Sequence, residues 1–216
     1  MIEKLALTAA ALASCVSAVS ARELQLPKSV PVRAVTPVFS QLVAFSYPGG
    51  FSPAFEDRKG GQYIQESVPS GESVESWSQM LTLTGAKDLA RNRPELTPAM
   101  FGGSIASDYR NACPETFSSR ELGLTVIDSR AALVAVVSCG SVAGVQPPRS
   151  EAMLLIVIRG ERDYYTLQWA ERGRASAKPQ DIDAGKWNER LARLSPIVLC
   201  QRVEGESSPI SSCRRP

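Results

Sequence analysis

The first 21 residues constrain the fold most, because they predict the compartment in which the rest of the chain folds. A polar start, Met1–Lys4, precedes an apolar run, Leu5–Leu12, and small residues that end at Ala21. This run is too short to span a bilayer and has the layout of a cleavable export signal. Residues 1–21 are therefore predicted to be a signal peptide, and the exported chain is expected in an oxidising compartment, most simply the periplasm.

The remaining cysteines are then expected to form disulfide bonds. Four of the five follow the predicted signal, and they are Cys113, Cys139, Cys200 and Cys213. They are too scattered for a four-cysteine zinc site, and no Cys-x-x-Cys is present. Of the three possible pairings we favour Cys113–Cys139 and Cys200–Cys213, because each closes a local loop. The alternative for Cys213, near the end of the chain, is a free thiol or a bond to another chain.

The fifth cysteine, Cys15, gives the signal a second interpretation. Leu12-Ala13-Ser14-Cys15 resembles the lipobox of bacterial lipoproteins, in which cleavage before the cysteine leaves a sulfur that carries lipid. Val16-Ser17-Ala18 and Val19-Ser20-Ala21 instead suit ordinary signal peptidase. The sequence favours soluble export, and lipidation at Cys15 is the alternative.

Length and composition predict one folded domain without a nucleic-acid partner. Even without its signal, a chain of 216 residues is long enough to bury roughly 70% of its unfolded surface. An apolar content of 44% is typical of a packed core. The net charge of +2 is too balanced to indicate binding to nucleic acid or to an anionic membrane surface.

Apolar periodicity predicts a chain rich in strands with two clear helices. Thr97-Pro98 begins the first helix, whose apolar positions recur every four residues up to Cys113. Asp183 caps the second helix. Strands are predicted at 42–46, 54–58, 62–68, 79–84, 122–128, 131–139, 152–159 and 164–171, with a short helical turn at 71–77.

This order of elements predicts an α+β fold, a single domain in which two or three helices pack on a largely antiparallel β-sheet. We expect residues 22–40 to form an extended N-terminal arm that leads into the α+β domain, residues 41–200. Residues 201–216 are rich in Ser, Pro and Arg and are predicted to be a C-terminal tail, tied where Cys213 is bonded.

The absence of histidine restricts the available chemistry. Ser-His-Asp and Cys-His machinery is excluded, and so are the usual zinc sites that contain histidine. No phosphate-binding loop or dinucleotide fingerprint appears, so no cofactor is expected. Gly102–Ala106 lacks the last glycine of a nucleophile elbow and lies in a predicted helix, where its small residues indicate close packing. The sequence predicts no catalytic, cofactor-binding or metal-ligating residue.

The alternative is an envelope hydrolase that uses carboxylates alone on cell-wall or sugar material. Such an enzyme needs two carboxylates within roughly 5–10 Å of each other. The candidates lie in the loop-rich first half: Asp57, Glu66, Glu72, Glu75, Asp88 and Glu95. Four aromatic side chains are candidates for the lining of a binding groove, although their spacing is more typical of a core: Trp77, Tyr109, Tyr164 and Trp169.

Two segments resemble known exported proteins. Gly71–Thr84, with the pattern GE-x-x-E-x-W-x-Q-M, is similar to segments of small uncharacterised exported proteins of proteobacteria, and Asp163–Ala170 fits the same group. The order of elements over residues 40–200 resembles the PsbP-like α/β sandwich superfamily. This resemblance implies an envelope protein or an accessory factor for assembly or secretion, and it implies no catalytic residue.

The sequence therefore predicts a non-enzymatic exported protein of the periplasm or envelope, with a binding or assembly-accessory role. Its partner is expected to be a protein or a small molecule that docks on an exposed strand or loop surface. Membrane attachment is expected only if Cys15 is lipidated.

Overall fold

Two antiparallel sheets and three helices make up the part of the chain that the structure describes. The structure is a computed structural model that describes residues 32–144, 146–207 and 210–213. The predicted signal peptide and Cys15 lie outside these residues. The prediction of an α+β fold with a largely antiparallel sheet is confirmed.

Ten strands and three helices follow one another along the described residues. The strands are β1 (Val32–Val38), β2 (Gln41–Tyr47), β3 (Phe51–Lys59), β4 (Gln62–Pro69), β5 (Gln79–Ala86), β6 (Phe117–Ile127), β7 (Arg130–Cys139), β8 (Arg149–Arg159), β9 (Tyr164–Arg174) and β10 (Val198–Gln201). The helices are α1 (Leu89–Asn92), α2 (Pro98–Ala112) and α3 (Ala184–Leu194). The large sheet has the order β3-β4-β5-β9-β8-β7-β6, and the small sheet has the order β1-β2-β10.

The large sheet is covered on both faces, which divides the molecule into three layers. Strand β8 shows why, because its alternate residues enter different cores. Leu154 and Ile156 face the small sheet and α3, whereas Leu155 and Val157 face α2. Strands buried on both faces are expected to be continuously apolar, and β8 is so from Ala152 to Ile158. The fold is therefore helix on sheet on sheet.

The C-terminal tail covers the outer face of the small sheet. Leu42 and Ala44 point away from the large sheet and pack with Val198 and Cys200. Cys213 lies in the same cluster and forms the Cys200–Cys213 disulfide. The second disulfide, Cys113–Cys139, joins the end of α2 to β7. Both are the pairings that the sequence analysis favoured.

Two helix starts agree with the capping residues read from the sequence. The Thr97 side chain accepts a hydrogen bond from Met100 N at the start of α2, where Pro98 occupies the first helical position. The Asp183 side chain accepts hydrogen bonds from Gly185 N and Lys186 N at the start of α3. These caps fix where both helices begin.

The helical turn predicted at 71–77 is wrong. This segment is an irregular loop in which Glu72 accepts hydrogen bonds from the backbone N and the hydroxyl of Ser78. Ser73 and Ser76 exchange backbone hydrogen bonds in the same loop. Local hydrogen bonds of short polar side chains compete with the backbone hydrogen bonds of a helix, and here they replace them.

Three elements were not predicted from the sequence. Val32–Val38, within the range expected as an extended arm, is strand β1 and pairs with β2. Strand β10 is only four residues long, and α1 has the length of a single turn. Elements this short carry too little periodicity to be recognised.

Two neighbouring glycines of α2 should respond oppositely to alanine. A Cβ added to Gly102 would lie 2.3 Å from Leu133 Cδ2, whereas one added to Gly103 meets no described atom within 4 Å. Gly103→Ala should raise the free energy of unfolding by up to about 1 kcal/mol, because alanine is the better helix former. Gly102→Ala should lower it, because overpacking costs about 1–3 kcal/mol. Urea denaturation of both variants checks this, and equal effects would contradict the close packing of α2 on β7.

Candidate functional site

Several turns meet at one end of the large sheet and enclose a polar cleft. Phe39-Ser40 joins β1 to β2, and Arg58 lies near the end of β3. Lys87-Asp88 follows β5, and Arg162-Asp163 lies in the turn between β8 and β9. Residues up to 123 positions apart in the sequence are hydrogen-bonded here. We call this region the loop-end cleft.

Asp163 is the centre of the hydrogen-bond network beneath the cleft and is 1% exposed. Its Oδ2 accepts hydrogen bonds from Ser40 N at 3.0 Å, from Ser40 Oγ at 2.5 Å and from Tyr165 Oη at 3.1 Å. Its Oδ1 accepts one from Asp88 N at 2.6 Å. One carboxylate thus joins the β1–β2 turn to the start of α1.

The network keeps Asp163 ionised and Tyr165 protonated. Burial raises the pKa of Asp163, but the hydrogen bonds from Ser40, Asp88 and Tyr165 together lower it by more. The resulting pKa is below that of an ordinary aspartate. Burial, assisted by the negative charge of Asp163, raises the pKa of Tyr165. The phenol therefore remains a donor to the carboxylate at neutral pH.

Two residues of the cleft adopt the left-handed backbone conformation that favours glycine. Phe39 has φ 53° and Asp88 has φ 56°. For a bulky residue such as phenylalanine this is an outlier that persists only where its surroundings hold it. Gly85 makes room for the turn, since a Cβ there would lie 2.4 Å from Val38 Cγ1 and 3.3 Å from the Phe39 ring. Such backbone strain is most often found at functional sites.

The cleft contains a cavity of about 410 Å³. Its lining consists of Phe39, Ser40, Arg58, Lys87, Asp88, Arg162 and Asp163. This volume falls within the range of small-molecule sites, which is about 300–1,000 Å³. Three of the seven lining residues are cationic.

The two carboxylates of the cavity are already engaged within the protein. Asp163 is held by the four hydrogen bonds described above. Asp88 Oδ1 accepts from Arg162 Nε at 3.1 Å and from Arg162 Nη2 at 2.9 Å, and Asp88 Oδ2 lies 3.3 Å from Arg91 Nη2. Neither carboxylate is therefore placed to bind a cationic ligand.

Two cations of the cavity remain available. Among the described residues, Lys87 Nζ has no hydrogen-bond or ion-pair partner. Arg58 donates one hydrogen bond from Nη2 to Pro37 O at 3.0 Å. Its guanidinium stacks 5.3 Å from the Phe39 ring centroid and 5.2 Å from that of Tyr63, which orients it. The cavity thus presents uncompensated positive charge.

A second cavity of about 400 Å³ adjoins the β1–β2 turn. It shares Phe39 and Ser40 with the first, and the tail supplies the rest of its lining, Arg202–Glu206. Glu206 accepts hydrogen bonds from Ser212, next to the Cys200–Cys213 disulfide. The disulfide and this contact fix the loop that forms the second cavity.

The candidate carboxylates from the sequence lie on strands β3 and β4, in the loop at 71–77 and in the segment that follows β5. Asp88 lies in the cleft, whereas Glu72, Glu75 and Glu95 are engaged with Ser78, Ser73 and Arg93 respectively. Within the described residues, no hydrogen bond joins any two of the six candidates. The described part of the chain also holds no group of three or more Cys, Asp or Glu residues suited to a metal ion.

The four aromatic side chains are core residues, as their spacing indicated. Trp77 and Tyr164 are buried on the α2 side of the large sheet, and Trp169 is buried on the other side. Tyr109, on α2, donates a hydrogen bond from its hydroxyl to Glu151 Oε1 at 2.9 Å. Their rings are thus divided between the two cores.

Apart from Asp88, a candidate carboxylate, the residues of the loop-end cleft were not singled out from the sequence. In the sequence, Asp163 only begins a segment that resembles other exported proteins, and Arg58 only ends a predicted strand. The signal that could have indicated the site is a set of basic residues in several turns, each next to a strand end. Which turns share one end of the sheet depends on strand order, which local patterns do not give.

Comparisons with known proteins show low similarity. No family model and no curated protein matches the chain. A solved structure from Bacteroides thetaiotaomicron has a TM-score of 0.38 at 11% identity over 81% of this chain and 49% of that one. The Ran-binding protein Mog1p of Saccharomyces cerevisiae has a TM-score of 0.40 at 8% identity, covering 76% and 85%. LpqN, involved in cell envelope biogenesis of Mycobacterium tuberculosis, has a TM-score of 0.37 at 11% identity, over 78% of this chain and 90% of that one.

The chain spans about half the length of the Bacteroides thetaiotaomicron protein. No helix among the described residues is long and apolar enough to cross a membrane. The function proposed below rests on the residues of this chain.

Proposed function

We propose that the protein is a non-enzymatic binding protein that holds an anionic group of its ligand in the loop-end cleft. The observation that carries this proposal is that the first cavity has cationic groups without a carboxylate partner inside it. Its carboxylates, Asp88 and Asp163, are engaged within the protein. Among the described residues, Lys87 Nζ has no partner, and the Arg58 guanidinium donates only one hydrogen bond, to Pro37 O. An anionic group would supply the missing partner.

The two cations suit such a ligand in complementary ways. The Arg58 guanidinium is planar and held against two rings, so it can donate two parallel hydrogen bonds to a carboxylate or phosphate. Lys87 is exposed and adds a compact positive charge on a flexible stem. Hydrogen bonds between charged groups are about twice as strong as neutral ones, so few contacts are needed.

The chemistry of the cleft favours binding over catalysis. Ser40 Oγ donates to Asp163, so the pair superficially resembles a nucleophile with its base. The lowered pKa of Asp163 makes it a poor proton acceptor, and no histidine is available to act between them. Its four hydrogen bonds give Asp163 a structural role, because they fix the turns that carry the cations.

The predicted setting of this function is outside the cytosol. The export signal read from residues 1–21 and the two disulfides support the periplasm or envelope as the location. The resemblance to PsbP-like proteins supports an accessory role in assembly or secretion. The ligand would then be a small molecule or a segment of a partner protein.

A titration with inorganic phosphate, followed by amide NMR at constant ionic strength, tests the proposal. We expect saturable shifts at the amides of Phe39, Ser40, Lys87 and Asp88, because these groups surround the first cavity. A parallel titration with sodium chloride should leave these amides unchanged. Shifts that do not saturate, or that affect exposed basic residues on all faces equally, would show that the cleft has no specific anion site.

A further inference from the structure

The first cavity is larger than a single anionic group and has an aromatic ring in its lining. Its volume of about 410 Å³ is in the range of sites that hold whole small molecules, about 300–1,000 Å³. An anionic group held by Arg58 and Lys87 fills only part of this space. Among the seven described lining residues, Phe39 is the only apolar one, so it is the residue that an uncharged part of the ligand would contact.

Phe39 occupies a position at which local preference favours glycine. It is the first residue of the two-residue turn between β1 and β2, in which Val38 pairs with Gln41, and its φ is 53°. Hairpin turns of this length favour Gly, Asn or Asp where φ is positive. A phenylalanine here costs the turn stability, so its ring is retained against the preference of the backbone.

Gly85 is a second departure from local preference at the same place. It lies within β5, and a glycine inside a strand weakens that strand. A Cβ at Gly85 would lie 2.4 Å from Val38 Cγ1 and 3.3 Å from two atoms of the Phe39 ring. The missing side chain therefore makes room for the turn and its ring. The ring is only half-buried, so packing against the core uses only part of its surface.

The charge of the lining suits a carboxylate with one negative charge. Three cations, Arg58, Lys87 and Arg162, stand against two carboxylates, Asp88 and Asp163, so the lining has a net charge of +1. One carboxylate balances this charge, whereas a doubly charged phosphate group exceeds it. The planar guanidinium of Arg58 also matches a carboxylate through two parallel hydrogen bonds.

We infer that the ligand of the first cavity is a small aromatic carboxylate, and that Phe39 selects its ring. The inference rests on the proposed function and names the ligand class. The Arg58 guanidinium lies 5.3 Å from the Phe39 ring centroid, so a ring bonded directly to a carboxylate held by Arg58 is within reach of Phe39. Two aromatic rings in contact gain more than the burial of apolar area alone, which favours an aromatic ring over an alkyl chain.

Amide NMR titrations with benzoate, acetate and benzamide at constant ionic strength test the inference. Benzoate should bind about ten times more tightly than acetate, which has the carboxylate without the ring. Benzamide has the ring without the charge and should bind at least ten times more weakly than benzoate. Lys87→Gln should weaken benzoate and acetate by the same factor, about tenfold, because both use the same carboxylate contact.

Phe39→Gly separates selection of the ring from a merely structural role. Glycine accepts a positive φ, so the turn should be kept, and Arg58 retains its contacts with Tyr63 and Pro37 O. Benzoate should then bind only as tightly as acetate, while the affinity for inorganic phosphate changes less than twofold. Phe39→Asn, which also suits a positive φ, should give the same result. Phe55→Ala removes an exposed ring outside the cavity and should change neither affinity.

Inorganic phosphate distinguishes failure of this inference from failure of the proposed function. The inference is overturned if benzoate binds no more tightly than acetate, if benzamide binds as tightly as benzoate, or if Phe39→Gly weakens benzoate and phosphate by the same factor. Saturable phosphate binding would in each case still support the proposed function. If the original protein binds neither phosphate nor any carboxylate in the cleft, both are overturned.

Discussion

Replacing Asp163 with alanine is expected to lower the free energy of unfolding by about 3 kcal/mol or more. The substitution removes the acceptor of four hydrogen bonds, two of which come from the backbone N–H groups of Ser40 and Asp88. Each buried donor left without an acceptor costs about 1–3 kcal/mol. For a chain of this length the melting temperature should fall by roughly 6–12 °C.

Urea denaturation followed by near-UV circular dichroism measures this effect. Ser40→Ala is the matched control, because it removes the hydroxyl contact with Asp163 but leaves the carboxylate and its backbone donors in place, and it should cost about 1 kcal/mol. If Asp163→Ala unfolds during purification, the smaller loss in Ser40→Ala still tests the network. An Asp163→Ala protein as stable as the original would show that the carboxylate does not hold the turns together.

The pH dependence of stability gives an independent reading of the same carboxylate. The pKa of Asp163 is lower in the folded chain than in the unfolded chain. Its contribution is therefore fully present above the unfolded pKa, about 3.9, and is lost as the pH falls through the lower folded value. Asp163→Asn should lack this part of the acid-induced loss, so the stabilities of the two proteins should converge below about pH 4.

The sequence predicted the fold well wherever local patterns were long. Strands β7 to β9 and helix α2 were recognised because their apolar periodicity extends over ten or more residues and α2 has a clear cap. The four cysteines and their pairing followed from counting and from loop length. The irregular loop at 71–77 was mistaken for a helical turn, because the hydrogen bonds that Glu72 accepts from Ser78 and that Ser73 exchanges with Ser76 compete with helix formation.

The candidate site could not be predicted in the same way. Ser40, Asp88 and Asp163 are far apart in the sequence, and their contact depends on β9 pairing with β5 and on the small sheet lying across the large one. The positive φ of Phe39 is likewise imposed by these contacts and not by its own preference. Sites built from turns at one end of a sheet require the strand order, which the local patterns do not contain.

Removing both available cations of the first cavity is expected to have the largest effect on ligand binding. The double variant Arg58→Gln/Lys87→Gln keeps side chains of similar length while it removes two positive charges. If each charge-assisted hydrogen bond contributes about 1.4 kcal/mol, the affinity for inorganic phosphate should fall about 100-fold. The fold should be retained, since Arg58 is exposed and Lys87 Nζ has no partner among the described residues.

Arg174→Gln/Lys178→Gln is the matched control for this double variant. It removes one arginine and one lysine from exposed positions outside both cavities, so it changes the net charge by the same amount. General electrostatic attraction would weaken equally in the two double variants. A specific site would be affected only by the loss of Arg58 and Lys87.

The most direct measurement is therefore the dissociation constant of inorganic phosphate for the original protein and both double variants, by calorimetry at one ionic strength. A cleft that binds anions predicts saturable binding that weakens about 100-fold in Arg58→Gln/Lys87→Gln and changes less than about twofold in the control. Binding that weakens equally in both variants, or that is not saturable in the original protein, would contradict an anion site in the loop-end cleft.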